Sequence, residues 1–178
     1  MAPGPRYDTG LKLLHWLMAA AIIALFLVGM VMEDLPKGDL RGSVYGIHKG
    51  IGVVVFILVA VRLAWRSVVG VPDLPVSMPA NERLAAKLGH LALYALMALV
   101  PLSGVLMSQS GGHPVAVLGF TLPTLVGKDE GIHELFEETH ELLAWAMAAI
   151  VAGHVAAALR HKFLLKDDVM ARMLPGRG

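Results

Sequence analysis

The sequence predicts an all-α protein, a four-helix transmembrane bundle with both termini cytoplasmic. Three observations carry this prediction. First, 56% of the 178 residues are hydrophobic and only 16% are charged, against about 25% charged in ordinary soluble domains. Second, four stretches are long enough to cross about 30 Å of hydrocarbon, which takes roughly 20 helical residues. They run over about 13–32, 46–65, 88–108 and 140–160, and the last has a charge-free centre at 142–159. Third, basic residues are divided unevenly between the loops that alternate across the membrane. The whole chain, 1–178, reads as one membrane domain.

Taken in order, the first stretch follows Arg6 and Lys12. That pattern also opens secretory signals, but no small-x-small cleavage site closes it, so it reads as a retained span. The second carries only Lys49 near its start and Arg62 near its end, where long side chains can reach the membrane rim. Pro72, Pro75 and Pro79 break the chain before the third stretch. Gly111, Gly112, Pro114, Gly119 and Pro123 break it before the fourth. The apolar segment 115–125 is too short to span and is expected at the outer interface. There is no internal repeat and no low-complexity tract.

Alternating spans put the N-terminus, the connection between the second and third spans, and the C-terminus on one side. Eleven of the fifteen basic residues fall there: Arg6, Lys12, Arg62, Arg66, Arg83, Lys87, Arg160, Lys162, Lys166, Arg172 and Arg177. Only Lys37, Arg41, Lys49 and Lys128 fall on the other side. The positive-inside rule then makes both termini cytoplasmic. Most acids, including Glu33, Asp34, Asp129, Glu137, Glu138 and Glu141, lie on the outer side.

The chain has no cysteine. That removes disulfides, thiolate metal sites and covalent haem attachment through Cys-x-x-Cys-His. Eight histidines in so apolar a chain point to function, because ionisable groups within spans are costly. His140 and His154 are fourteen residues apart, which returns them to nearly one helix face about 21 Å apart along the axis. His15 opens the first span at the depth of His154, and His48 opens the second at the depth of His140. Two pairs result, His15 with His154 near the cytoplasmic side and His48 with His140 near the outer side.

Paired imidazoles on facing helices can ligate haem iron inside a bundle. Gly46, Gly50 and Gly52 around His48, and Gly153 beside His154, leave room for a flat ligand, although small residues also serve helix packing. Taken singly, His15 beside Trp16 also fits an interfacial anchor, and His140 among acids also fits a solvated helix start. A zinc site would gather three or four ligands at one level. A two-and-two division with no carboxylate in the apolar cores favours two haem b groups over zinc or a histidine-lined ion transporter.

Several short motifs accompany these histidines. They are Leu14-His15-Trp16; Ile47-His48-Lys49-Gly50 with Val61-Arg62-Leu63; Leu88-Gly89-His90-Leu91 with Pro101-Leu102-Ser103-Gly104; and Glu138-Thr139-His140-Glu141 with Gly153-His154-Val155-Ala156. Together they resemble the bacterial cytochrome b561 family, the short four-helix di-haem membrane cytochromes that include a superoxide oxidase, over almost the whole chain.

The resemblance implies that His15, His48, His140 and His154 are the axial iron ligands. It also implies a multi-pass protein of the bacterial inner membrane that takes electrons from periplasmic superoxide and delivers them to ubiquinone. Its partners would be lipid, superoxide and ubiquinone, with no nucleic acid. The alternative is a cytochrome b relay subunit serving a dehydrogenase or hydrogenase. Within the leading reading, Lys49 beside a ligand is the candidate for attracting the superoxide anion. Arg160 and His161, just past His154, are candidates for contacting quinone, and Arg160 also fits a plain positive-inside anchor. His90, level with the inner pair, is expected to hydrogen-bond haem or quinone and is the substitute ligand. Arg62 fits either a haem propionate contact or a snorkelling side chain. His113 and His133 are placed in outer loops without an assigned role.

Overall fold

The computed structural model describes residues 6–75 and 77–175. Arg177, counted above among the cytoplasmic basic residues, lies outside them. Four helices follow one another: α1 Thr9–Met32, α2 Asp39–Val69, α3 Ala80–Ser110 and α4 Glu130–Arg160. All four are long and apolar enough to cross a membrane. A two-stranded hairpin, β1 Ala116–Val117 and β2 Phe120–Thr121, precedes α4. A single π-helical turn, His161–Leu165, follows it.

The helices outrun the apolar stretches that predict them. Helices α2, α3 and α4 each have 31 residues, about 46 Å of helix. That length matches a bilayer with its headgroup layers, about 40–45 Å, rather than its hydrocarbon core. Hydropathy marks only the core, whereas polar capping groups decide where a helix stops. The Asp8 carboxylate accepts from the amides of Gly10 and Leu11 at the start of α1. Asp129 accepts from Ile132 at the start of α4. Gly70, at φ 72°, closes α2 in the left-handed conformation that glycine adopts without steric cost. One expectation is corrected here: His133 lies in the first turn of α4, not in a loop, because the Asp129 cap starts that helix well before its apolar face begins.

The surface is apolar and the interior sparse. Between 6% and 17% of each spanning window is buried, and side chains such as Leu13, Leu27, Leu91 and Leu142 are exposed. A surface this apolar needs a lipid environment. Helices α3 and α4 pack most extensively, α1 packs on α2, and α2 on α3. Helix α4 therefore packs closely on α3 alone among the other spans and stands off from α1 and α2.

Both ends of the chain meet at one end of the bundle. The Trp16 indole donates to the Met173 carbonyl at 3.0 Å and the Tyr7 amide to the Arg172 carbonyl at 3.3 Å. The Arg172 guanidinium donates to the Asp73 carbonyl at 2.8 Å. The N-terminal segment, the connection between α2 and α3, and the C-terminal segment thus share an end, as alternating spans require. At the other end, β1 rests against α2.

Candidate functional site

The space between α4 and its two distant neighbours is bridged by histidine side chains. At the end away from the termini, His48 on α2 and His140 on α4 have ring centroids 6.4 Å apart and planes at 75°. The orientation of His140 is set by α3. Its Nδ1 lies 3.0 Å from the Val100 carbonyl and 3.1 Å from the Ser103 hydroxyl, while that hydroxyl donates to the same carbonyl at 2.8 Å. A carbonyl oxygen can only accept, so Nδ1 carries the proton and Nε2 keeps its lone pair. Gly104 makes the approach possible: a Cβ there would stand 2.9 Å from His140 Cε1. His48 has no such grip, and its Nδ1 is buried without a hydrogen-bond partner.

A cavity of about 1140 Å³ opens around this pair, lined among others by Phe26, Gly29, His48, Gly104, His140 and Met147. It is larger than common small-molecule pockets, which run to about 1,000 Å³. Its wall also carries Lys37, Arg41 and Lys49 together with Glu137, Glu138 and Glu141. Lys49 is tethered, its Nζ donating to the Ser108 hydroxyl at 3.1 Å and the Pro114 carbonyl at 3.2 Å. Two neutral oxygens thus hold the ammonium group in place.

At the other end, His15 on α1 and His154 on α4 have centroids 6.2 Å apart and planes at 65°. His90 on α3 comes closer still, 5.6 Å from His154. Trp16 packs edge-on to His15 at 5.3 Å. Beneath them Arg62, 9% exposed, donates to the Leu11 carbonyl at 2.6 Å and the Tyr94 hydroxyl at 3.3 Å. It ties α1, α2 and α3 together and points inward instead of snorkelling. Outside the spans, the Trp65 indole donates to Asp8 at 2.8 Å and, helped by backbone amides, holds that carboxyl below the usual range.

The two bridging pairs fit one kind of ligand. Two imidazoles sharing a metal ion, with bonds of about 2.0 Å each, place their ring centres roughly 6 Å apart. Both pairs have that spacing. Among the described residues no group of three or more His, Cys, Asp or Glu converges to hold an ion, which disfavours zinc. A two-imidazole site leaves the remaining coordination to a planar macrocycle, and the cavity around His48 and His140 has room for one. The cofactor such donors fit is haem.

Comparison with known proteins agrees. The family model described as prokaryotic cytochrome b561 matches residues 6–176. The chain belongs to the prokaryotic cytochrome b561 family. It is therefore a membrane electron-transfer protein of a family that carries haem b. It is 33% identical over 171 residues to cytochrome b561 homolog 2 of Escherichia coli strain K12, covering 95% of this chain and 91% of that protein. It is 29% identical to cytochrome b562 of Cereibacter sphaeroides, covering 99% and 100%. With a protein from Yersinia pestis named probable superoxide oxidase CybB it shares 23% identity, covering 91% and 92%.

Around the two histidine pairs of this b561-family chain, the remaining candidates separate. His161 is buried in the π-helical turn and its Nδ1 lies 2.6 Å from Asp167. Arg160 pairs with Glu82 of α3 at 3.2 Å. His133 Nδ1 lies 2.9 Å from the Met107 carbonyl, a bond that fastens α4 to the end of α3. His113, in the loop after α3, lines the cavity. The sequence reading missed the roles of Val100, Ser103 and Gly104. Pro101-Leu102-Ser103-Gly104 carried the resemblance, yet no spacing rule could say that this turn of α3 exists to hold a histidine of α4.

Proposed function

We propose that the protein is a di-haem superoxide:ubiquinone oxidoreductase of the bacterial inner membrane, with both termini cytoplasmic. In this reading the chain forms one membrane domain. His48 and His140 ligate a periplasmic-side haem b, and His15 and His154 a cytoplasmic-side one. The observation that carries the reading is the pair of matched imidazole spacings, 6.4 Å and 6.2 Å, that join α4 to α2 and α1. Eleven of fifteen basic residues on the termini's side support the orientation. The name of the Yersinia pestis relative supports superoxide as donor.

Bound haem supplies reversible one-electron storage. The protein's part is positioning and electrostatics. His140, held through Nδ1 by Val100 and Ser103, presents Nε2 toward His48. Lys49, with Lys37 and Arg41, puts positive charge on the outer cavity wall and draws in an anionic donor. Two superoxide ions each give up one electron and become dioxygen, and ubiquinone takes up two electrons and two protons. At the cytoplasmic end, Asp167 orients His161 through Nδ1 and leaves Nε2 to hydrogen-bond the quinone head group. His90, against His154, orders the inner ligand.

The test is to add superoxide to the detergent-purified, haem-loaded protein with and without ubiquinone, following the haem absorption. Rapid reduction by superoxide and reoxidation by ubiquinone support the proposal. Two haems that ignore superoxide but accept electrons from a dehydrogenase overturn it in favour of the relay subunit.

A further inference from the structure

The hairpin before α4 is built in an unusual way. Its two-residue turn, Leu118-Gly119, has positive φ at both positions, 49° and 84°. Such turns favour Asn-Gly or Gly-Gly because most side chains are strained there. Here a leucine takes the first position, and its side chain is 87% exposed. Phe120, next along, is 78% exposed and Leu125 64%. The fourteen residues 114–127 include no charged one. A strained, apolar, fully projecting tip is poorly suited to water.

Its depth points to what covers it. Ala116 rests on α2 beside Gly50, where an added Cβ would stand 3.4 Å from the Ala116 carbonyl. Gly50 lies nine residues below Arg41, about 13 Å along the helix, and so well inside the layer that α2 crosses. Ile47 and Ile51, exposed on the same stretch of α2, continue the apolar surface from the hairpin onto the span. On its inner side the segment is anchored: Val115 is 1% exposed and lines the cavity, and Lys49 holds the Pro114 carbonyl.

The geometry points to a lipid-inserted prong: Leu118 and Phe120 sit among the acyl chains at the outer boundary of the bilayer. The hairpin walls the outer cavity on its lipid side, with Val115 inward and Leu118 outward. This conclusion is independent of what the cavity binds.

The cysteine-free chain allows a direct test. Leu118→Cys and Phe120→Cys are made singly, spin-labelled and reconstituted in phospholipid nanodiscs. Leu27→Cys, on the exposed face of α1, is the lipid reference, and Asp34→Cys, between α1 and α2, the aqueous one. Collision rates with oxygen and with a water-soluble nickel chelate are measured by electron paramagnetic resonance. Both hairpin labels should resemble Leu27→Cys, with oxygen several-fold favoured over the chelate. Chelate accessibility like that of Asp34→Cys would overturn the inference. So would protection from both reagents, which would indicate a covering protein surface, including a second copy of this chain. Each variant's unchanged haem spectrum verifies folding, and agreement of the two positions guards against a local disturbance.

Discussion

At one end of the bundle a single imidazole is gripped; at the other, three are crowded together. His140 has its Nδ1 held by a carbonyl and a hydroxyl of α3 and its ring seated on Gly104. It faces one partner across a large cavity. His154 faces both His15 and His90, and among the described residues no hydrogen bond fixes any of these three rings. The site away from the termini is ordered by directional bonds and the one near them by packing. The lesson is that two histidine pairs with nearly the same spacing should tolerate damage very differently.

The largest expected effect breaks that comparison open. His140→Ala should remove one of the two proposed haems completely, because among the described residues His140 is the one ring paired with His48. His15→Ala should retain a second haem with an altered absorption band, since His90 still faces His154. The double variant His15→Ala with His90→Ala should lose it. Pyridine haemochrome ratios of one, nearly two, and one per chain check this; equal loss in both single variants would remove the distinction.

Next in size is Gly104. Gly104→Ala places a Cβ 2.9 Å from the His140 ring, and overpacking of this kind costs typically 1–3 kcal/mol. Outer haem content should fall and the melting temperature of the purified protein should drop. Gly127→Ala, with no atom within 4 Å of the added Cβ and away from the cavity lining, should leave both unchanged.

How much of this was legible beforehand depends on the kind of information. The four spans and the two histidine pairs followed from helical period and depth, since hydropathy and a 3.6-residue repeat are local properties of the chain. Several helix ends lie beyond the apolar stretches, as at Asp8, Asp129 and Gly70, because polar caps and a glycine set them where hydropathy says nothing. The early start of α4 is what carried His133 out of its expected loop. Ser103 and Gly104 were visible only as a motif, because their purpose lies on another helix. Arg62 was read as free to reach water or a propionate; its bonds to Leu11 and Tyr94 depend on how three helices meet, which no single stretch encodes.

A smaller effect sharpens the same contrast. Ser103→Ala removes one of two acceptors on His140 Nδ1, a hydrogen bond contributing about 0.5–1.5 kcal/mol. Only the outer haem's low-spin ferric resonance should change, and Ser103→Thr should restore it. A shift in both resonances would show that the hydroxyl acts on general stability instead.

The smallest effect lies at the inner rim. Trp65 holds the Asp8 carboxyl below its ordinary value, so its folded pKa is lower than its unfolded one. Its contribution to stability is then present above about pH 4 and is lost as pH falls through the folded value. Melting curves of Asp8→Asn should lie slightly below those of the parent chain at neutral pH, decline less as pH falls, and converge with the parent on the acid side.

The most direct test of the central claim is the haem content of the purified parent chain by pyridine haemochrome assay, beside that of a variant with both His48 and His140 changed to alanine. Two haem b per chain falling to one is the expected result. One haem or none in the parent, or a ratio unmoved by the double change, would contradict the account of two imidazole pairs each holding a haem.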